Sequence, residues 1–116
     1  MIATFVSRTY ARAIWSAQGL SDTWIGEMSF RYWAIANVVS AGAAFWLPLT
    51  NGERGLILAL GVLVLAAELF NTAIERVVDL VTQERHELAR QAKDAGSAAV
   101  MVTALALLVA WVVILI

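Results

Sequence analysis

The chain has 116 residues, of which 61% are hydrophobic, and its mean hydropathy is +0.78. A soluble domain of this length could not bury so much apolar surface, so the composition excludes an ordinary soluble fold and indicates an integral membrane protein. Cysteine is absent, which excludes disulfides, thiolate metal sites and thiol nucleophiles. The net charge of −1 excludes no class of partner, but the positions of the charges are informative.

Residues 1–20 are predicted to form an amphipathic helix that lies at the membrane surface. Apolar side chains, among them Phe5, Tyr10 and Ile14, recur at helical spacing, and Arg8 and Arg12 lie on the opposite face. The simpler interpretation is a membrane anchor whose arginines meet anionic headgroups, and the alternative is a phosphate site at Arg8. Residues 19–22 then predict a break in the helix, followed by a helix cap.

Three later segments have the length and composition of membrane spans: residues 28–48, 55–80 and 94–116. Aromatic residues mark both ends of the first segment, as expected at the two membrane interfaces. Residues 48–52 predict a turn, which makes the first two segments antiparallel neighbours. Residues 1–116 are therefore predicted to form a single domain, an all-α membrane protein with one surface helix and three transmembrane helices.

The second span carries an acidic stripe made of Glu68, Asn71, Glu75 and Asp79. In a helix these positions, i, i+3, i+7 and i+11, project from one face. An aspartate at the centre of a membrane helix costs roughly 2.5 to 3.5 kcal/mol on insertion scales, so such groups usually face a bundle interior and mark a functional path. We expect Glu68 to be the deepest group and Asp79 the nearest to water.

Residues 83–94 connect the second and third spans and are charged, without proline or glycine. Their composition predicts a cytoplasmic helix that runs directly into the third span. Most lysines and arginines lie in this connection or near the N-terminus, so the positive-inside rule places both in the cytoplasm and the C-terminus outside. Within the connection, a solvated surface residue is the simpler interpretation of His86 and a ligand the alternative. For Lys93, the simpler interpretation is a side chain that extends its amine toward water.

The sequence lacks the glycine-rich phosphate loops of soluble nucleotide-binding proteins and the H-E-x-x-H zinc motif. Nucleotide chemistry would therefore have to be built from helix faces. Carboxylates at the membrane edge could hold Mg²⁺, Lys93 and the arginines could neutralise phosphate charge, and Glu68 could take a proton from a lipid alcohol. Phosphoryl transfer to a lipid hydroxyl needs such an arrangement. For Glu27, at the edge of the first span, an ion pair with Arg31 is the simpler interpretation and a metal ligand the alternative.

Two stretches carry a resemblance to a known family. They are Glu68-Leu-Phe-Asn71-Thr-Ala-Ile-Glu75, followed by Asp79, and His86-Glu87-Leu88 with Ala92-Lys93-Asp94-Ala-Gly96-Ser97. The chain resembles, over nearly its whole length, the prokaryotic integral-membrane diacylglycerol kinases, a family that includes undecaprenol kinases. The resemblance implies a homotrimeric helical bundle in which each subunit has a surface helix and three spans, with active sites shared between subunits.

The resemblance also implies roles for individual residues. Glu68 would be the general base, and Glu27 and Glu75 would hold Mg²⁺. ATP would be surrounded by a larger set: Arg8, Trp15, Glu27, Asn71, Glu75, Glu84, Arg85, His86, Lys93 and Asp94. Trp15 stands where the family can use tyrosine. The lipid substrate would meet Arg8, Arg31, Trp46, Arg54, Glu68 and Ser97.

Some positions depart from the enterobacterial pattern. Tyr32 and Trp33 stand where Gln-Glu is expected, Gly26 where asparagine is expected, and Arg90 where glycine is expected. The implied catalytic set is intact, whereas the implied lipid contacts are not, so the departures leave the identity of the lipid open.

The sequence thus predicts a bacterial inner-membrane kinase that transfers the γ-phosphoryl group of MgATP to diacylglycerol and gives phosphatidic acid. Undecaprenol kinase is the alternative within the same family. A small oligomeric proton or cation transport subunit, with the acidic stripe as its path, is the alternative from another class. A structural assembly protein ranks last, because it leaves the cost of an intramembrane Glu68 unexplained.

Overall fold

The computed structural model describes residues 1–116 as four helices without strands, which confirms the predicted all-α class. The helices are α1 (Ile2–Gly26), α2 (Met28–Trp46), α3 (Asn51–Val81) and α4 (Glu87–Leu115). Helix α3 is central, because it packs extensively against α4 and against α2, whereas α1 makes only slight contact with α2 and α3.

Two helices, α3 and α4, are long and apolar enough to cross a membrane. Their 31 and 29 residues correspond to about 46 and 44 Å of helix, more than the roughly 30 Å of bilayer hydrocarbon. Helix α2 coincides with the first predicted span but contains Arg31 and Asn37 within its 19 residues, and its length and composition do not by themselves indicate a span. Membrane crossing by α2 therefore stays a prediction.

The chain exposes far more surface than a compact protein of its size. Its accessible surface is 8480 Å², against about 6,200 Å² expected for a folded monomer of this mass. Its radius of gyration is 17.5 Å, against about 13 Å for a compact domain of this length. Only 11 of the 116 residues are buried, and most large apolar side chains point outward. This apolar surface is available to lipid or to other chains.

The predicted break near Gly19 is wrong, because α1 continues without interruption to Gly26. Gly19 has an ordinary helical backbone, and the Thr23 hydroxyl donates a hydrogen bond of 2.8 Å to its carbonyl. Thr23 is itself buried, so the second half of α1 is fixed by packing that its sequence does not reveal. The helix ends at Glu27, whose extended backbone separates α1 from α2.

The predicted continuous helix over residues 83–94 is correct only from Glu87 onward. Helix α3 ends at Val81, and the extended backbone of Thr82 directs the chain into a short connection. His86 closes this connection as the N-cap of α4, because its Nδ1 accepts a hydrogen bond of 3.1 Å from the Leu88 N–H. A side-chain acceptor at this position satisfies one of the free N–H groups of the first helical turn.

The turn between α2 and α3 is held by Arg54. The Ala44 carbonyl near the end of α2 would ordinarily accept from residue 48, but Pro48 has no N–H. Arg54 Nε supplies the missing donor at 2.8 Å, and its Nη atoms donate to the Leu49 carbonyl at 3.2 Å and to Asn51 Oδ1 at 3.1 Å. Because Ala44 is fully buried, water is poorly placed to replace this donor.

Replacing Arg54 with alanine should lower the free energy of unfolding by about 1 to 3 kcal/mol, because a buried carbonyl is left without a donor. Arg54→Lys should recover only part of the loss, since an ammonium group lacks the planar fork. Thermal unfolding in detergent, followed by circular dichroism, measures both effects. Arg12→Ala, which removes an exposed arginine from α1, is the matched control. Equal midpoints for the Arg54 and Arg12 variants would show that the carbonyl does not need this donor.

Candidate active site

The Glu68 carboxylate is the most deeply buried charged group of the chain, with 4% of the residue exposed. Its Oε2 accepts a hydrogen bond of 3.2 Å from the Ser29 hydroxyl at the start of α2. It lies on a cavity of about 250 Å³ whose wall combines polar and apolar side chains from three helices. The other lining residues are Trp33, Asn71, Ser97, Val100, Met101 and Ala104. A small apolar group that carries a hydroxyl could reach the carboxylate here.

The acidic stripe descends from Glu68 as predicted: Glu68 is buried, Asn71 and Glu75 are partly buried, and Asp79 is exposed. Asn71 Nδ2 donates a hydrogen bond of 3.3 Å to Glu75 Oε1. Asn71 Oδ1 is buried without a partner, and it packs so closely on Gly96 of α4 that a Cβ there would lie 2.5 Å from it. The close approach of α3 and α4 at Gly96 therefore fixes the Asn71 side chain.

Glu27 faces the same region from the junction of α1 and α2. Its carboxylate pairs with Arg76 of α3, with 3.7 Å between Oε1 and Nη2. Glu27 and Glu75 both lie close enough to Glu68 for their charges to repel it. Three carboxylates from two parts of the chain thus share one region, and the like charges favour a cation among them.

The residues fit Mg²⁺ as an ion shared with a substrate. No group of three His, Cys, Asp or Glu side chains converges as a complete metal cage. Mg²⁺ commonly uses only one or two carboxylates together with substrate phosphates and water. Glu27 and Glu75 supply two carboxylates in the region of Glu68.

A charged cleft of about 730 Å³ opens where α3 ends and α4 begins. Five of the residues predicted to surround ATP line it: Glu84, Arg85, His86, Lys93 and Asp94. Lys93 crosses from α4 to α3, where its Nζ donates to Asp79 Oδ1 at 2.6 Å. Arg90 pairs with Glu87 and, at 2.6 Å, with Asp94. The cleft therefore offers cations whose present partners are exposed carboxylates that a phosphate could replace.

Other predicted site residues lie apart from these cavities. Arg8 and Trp15 are exposed on α1, and neither lines the charged cleft or the Glu68 cavity. Arg31 is partly exposed in the first turn of α2. Trp46 and Arg54 lie at the opposite end of α2 and α3, where Trp46 is exposed and Arg54 is bonded to the turn. A single chain thus brings together the residues of α3 and α4 but not those of α1.

Sequence reasoning did not single out Ser29 or Arg76, although each contacts a predicted site residue. Both contacts join different helices, Ser29 to Glu68 and Arg76 to Glu27. Periodicity within one helix contains no signal for a partner in another. For Arg76, the only available signal is its position beside Glu75 on the same amphipathic segment.

Comparison with known proteins agrees with this geometry. The sequence model described as prokaryotic diacylglycerol kinase matches residues 14–115. The chain is 44% identical to diacylglycerol kinase of Pseudomonas aeruginosa over 101 residues, which cover 87% of this chain and 82% of the relative. It is 37% identical to diacylglycerol kinase of Escherichia coli K12 over 112 residues, 97% and 92% of the two chains.

A further relative carries a different name: undecaprenol kinase of Bacillus subtilis is 34% identical over 99 residues, which cover 85% of this chain and 80% of the relative. The match to the family model and the extent of these similarities confirm the resemblance on which the implied site residues depend. The chain belongs to the prokaryotic diacylglycerol kinase family.

Proposed function

We propose that this chain is a lipid kinase that transfers the γ-phosphoryl group of ATP to the primary hydroxyl of diacylglycerol and gives phosphatidic acid. One observation carries the proposal: Glu68 is buried beside a cavity among apolar helices, and the same helix α3 leads from it to a charged, water-exposed cleft. A lipid alcohol could therefore reach the acidic stripe of α3 at the Glu68 cavity, while a nucleotide reaches it from the charged cleft. The similarity to two named diacylglycerol kinases over most of the chain supports the same activity.

The charged cleft is the proposed nucleotide site. Lys93 and Arg85 provide positive charge for the phosphate oxygens, and His86 and Glu84 lie on the same wall. A triphosphate would compete with Asp79 for the Lys93 ammonium. This exchange makes nucleotide binding sensitive to ionic strength, because the cleft is open to water and its charges are screened by salt.

Glu68 is the proposed general base. The oxygen of the lipid hydroxyl attacks the γ-phosphorus, the bond from that phosphorus to the bridging oxygen breaks, and ADP leaves with the bonding electron pair. Glu68 accepts the hydroxyl proton, so no strongly basic alkoxide has to form in the membrane. Val100, Met101 and Ala104 give the cavity an apolar wall, which suits the apolar part of a lipid better than water, the competing acceptor.

Glu27 and Glu75 are the proposed Mg²⁺ ligands, with the nucleotide phosphates as further ligands. When bound, the ion neutralises charge that develops on the phosphates. Asn71 donates to Glu75 and so fixes the orientation of that carboxylate. The ion pair between Arg76 and Glu27 holds the second carboxylate near the same level until a stronger cation competes for it.

We place this kinase in the bacterial inner membrane, with α2 as a third span and the cleft on the cytoplasmic side. Arg8 and Trp15 lie outside the cavities of their own chain, and a homotrimer with shared sites would bring a neighbouring α1 to the nucleotide. Arg31 and Ser97 are proposed to contact the lipid near Glu68. Trp46 and Arg54 are proposed to contact it at the outer end.

The undecaprenol kinase relative supports a second lipid alcohol as the alternative acceptor. The transport alternative is less well supported, because the stripe of polar side chains does not continue past Glu68 toward the outer end. There Ala44, Ile57 and Ala110 form a buried apolar cluster between α2, α3 and α4. A conduit would also have no need for the charged residues gathered in the cleft.

The first test is ATP consumption by the purified protein in mixed micelles with diacylglycerol, with undecaprenol or without lipid. Turnover is expected with diacylglycerol, and removal of Mg²⁺ with a chelator should abolish it, because the phosphate charge is then uncompensated. Turnover with undecaprenol alone would show that undecaprenol, and not diacylglycerol, is the acceptor. Absence of turnover with either lipid, in a preparation that keeps its helical spectrum and unfolds cooperatively, would exclude the kinase.

Glu68→Gln and Glu75→Gln should impair different steps of the kinase reaction. Loss of the proton acceptor in Glu68→Gln should lower kcat by about 100-fold or more, while nucleotide binding is retained. Glu75→Gln should instead weaken Mg²⁺ dependence and nucleotide affinity together, because a ligand charge is lost. Kinetics at varied MgATP and a nucleotide-binding titration separate the two effects.

Asp22→Asn serves as the control for these variants, since it neutralises an exposed carboxylate on α1. It should leave both kcat and nucleotide affinity near the wild-type values. Equal and small losses for the Glu68 and Glu75 variants would contradict the division of roles.

A further inference from the structure

The hydroxyl of Ser29 differs from the other hydroxyl donors of the helices. Ser7, Thr9, Thr23 and Thr103 each donate to a backbone carbonyl three or four residues earlier in their own helix. This is the usual arrangement for a hydroxyl inside a helix. Ser29 instead donates across 39 residues of sequence to the carboxylate of Glu68. It is the one hydroxyl of this chain that donates to an acidic side chain.

The backbone around Ser29 explains why its hydroxyl is free to do so. Glu27 is extended and ends α1, so Ser29 is the second residue of a new helix and its hydroxyl points out from the first turn. The N-terminal end of α2, with its partial positive charge, thereby lies next to Glu68. The break at Glu27 brings a donor and a favourable dipole to the Glu68 carboxylate, which accepts no hydrogen bond from another side chain of α3.

We propose that Ser29 is a positioning residue for the proton acceptor of the kinase reaction. By holding Oε2 of Glu68, it fixes the rotation of the carboxylate toward the cavity that Ser97 and Met101 line from α4. This inference rests on the proposed function, because it assigns Ser29 a role only if Glu68 accepts the proton.

A hydroxyl suits this role better than a cationic or backbone donor. It carries one donor and two acceptor sites and can rotate about its C–O bond. While Glu68 is ionised, Ser29 donates to it. Once Glu68 holds the proton from the lipid alcohol, the carboxyl group can donate and the Ser29 hydroxyl can accept. Glu68 therefore keeps a hydrogen-bond partner in both states of the reaction cycle.

The test compares Ser29→Ala and Ser29→Thr in mixed micelles with diacylglycerol and MgATP. Ser29→Ala should lower kcat about tenfold, the scale expected for one hydrogen bond to a charged group, with little change in KM for either substrate. Ser29→Thr keeps the hydroxyl and should recover most of the kcat. A purely structural role would lower stability without this separation of kcat from KM.

Ser40→Ala is the matched control, because it removes the same group from the same helix. Ser40 accepts a hydrogen bond of 2.9 Å from the Trp111 indole and has no contact with Glu68, so its loss should lower the unfolding midpoint and leave kcat unchanged. Unchanged kcat for Ser29→Ala, with an active wild type, overturns the role of Ser29 and leaves the kinase intact. Equal loss in the alanine and threonine variants also overturns it. A wild type inactive with every lipid contradicts the proposed function itself.

Discussion

A carboxylate buried among apolar helices is the constraint on which the rest of this structure depends. With only 4% of the residue exposed, Glu68 has little contact with bulk water, so its charge requires donors and dipoles from the protein itself. The break between α1 and α2 at Glu27 meets this requirement, because α2 then begins beside Glu68 and supplies the Ser29 hydroxyl. The central position of α3 follows as well, because only a helix flanked on two sides can shield the stripe.

The two ends of the bundle are built for different purposes. At the end that carries the α2–α3 turn, Arg54 is bonded to the backbone of the turn, and a small apolar cluster closes the space between the helices. At the other end, the ion pairs of Lys93 and Arg90 are exposed to water and join flexible side chains. Exposed pairs of this kind contribute little to stability and can be exchanged for a ligand. The rigid end fixes the helix geometry, while the exposed end is free to bind.

Features that depend on periodicity within one segment could be predicted from the sequence. The shared face of Glu68, Asn71 and Glu75, the turn at Pro48 and the helical course after Glu87 are of this type, because each follows from local spacing or a local breaker. The break expected at Gly19 was wrong, since a glycine without steric conflict continues a helix when Thr23 packs against a neighbour. The extended Thr82 and the cap at His86 likewise depend on how the α3–α4 connection closes.

Contacts between helices could not be predicted from local sequence patterns. The apolar run is interrupted at Gly61 because Asn37 Oδ1 of α2 occupies the space that a Cβ at this position would need. Gly96 has the same relation to Asn71. In both cases the absence of a side chain on the glycine allows an amide on another helix to approach. Neither pairing is evident in the sequence, because it exists only once the helices have packed.

The burial of Glu68 within one chain also bears on how such a protein is made. An unshielded charge on a lone helix would oppose the insertion of a nascent chain into the bilayer. Here 4% exposure and the Ser29 partner are reached with α2, α3 and α4 of the same polypeptide. The packing of α2, α3 and α4 of one chain can therefore shield this charge without a second chain.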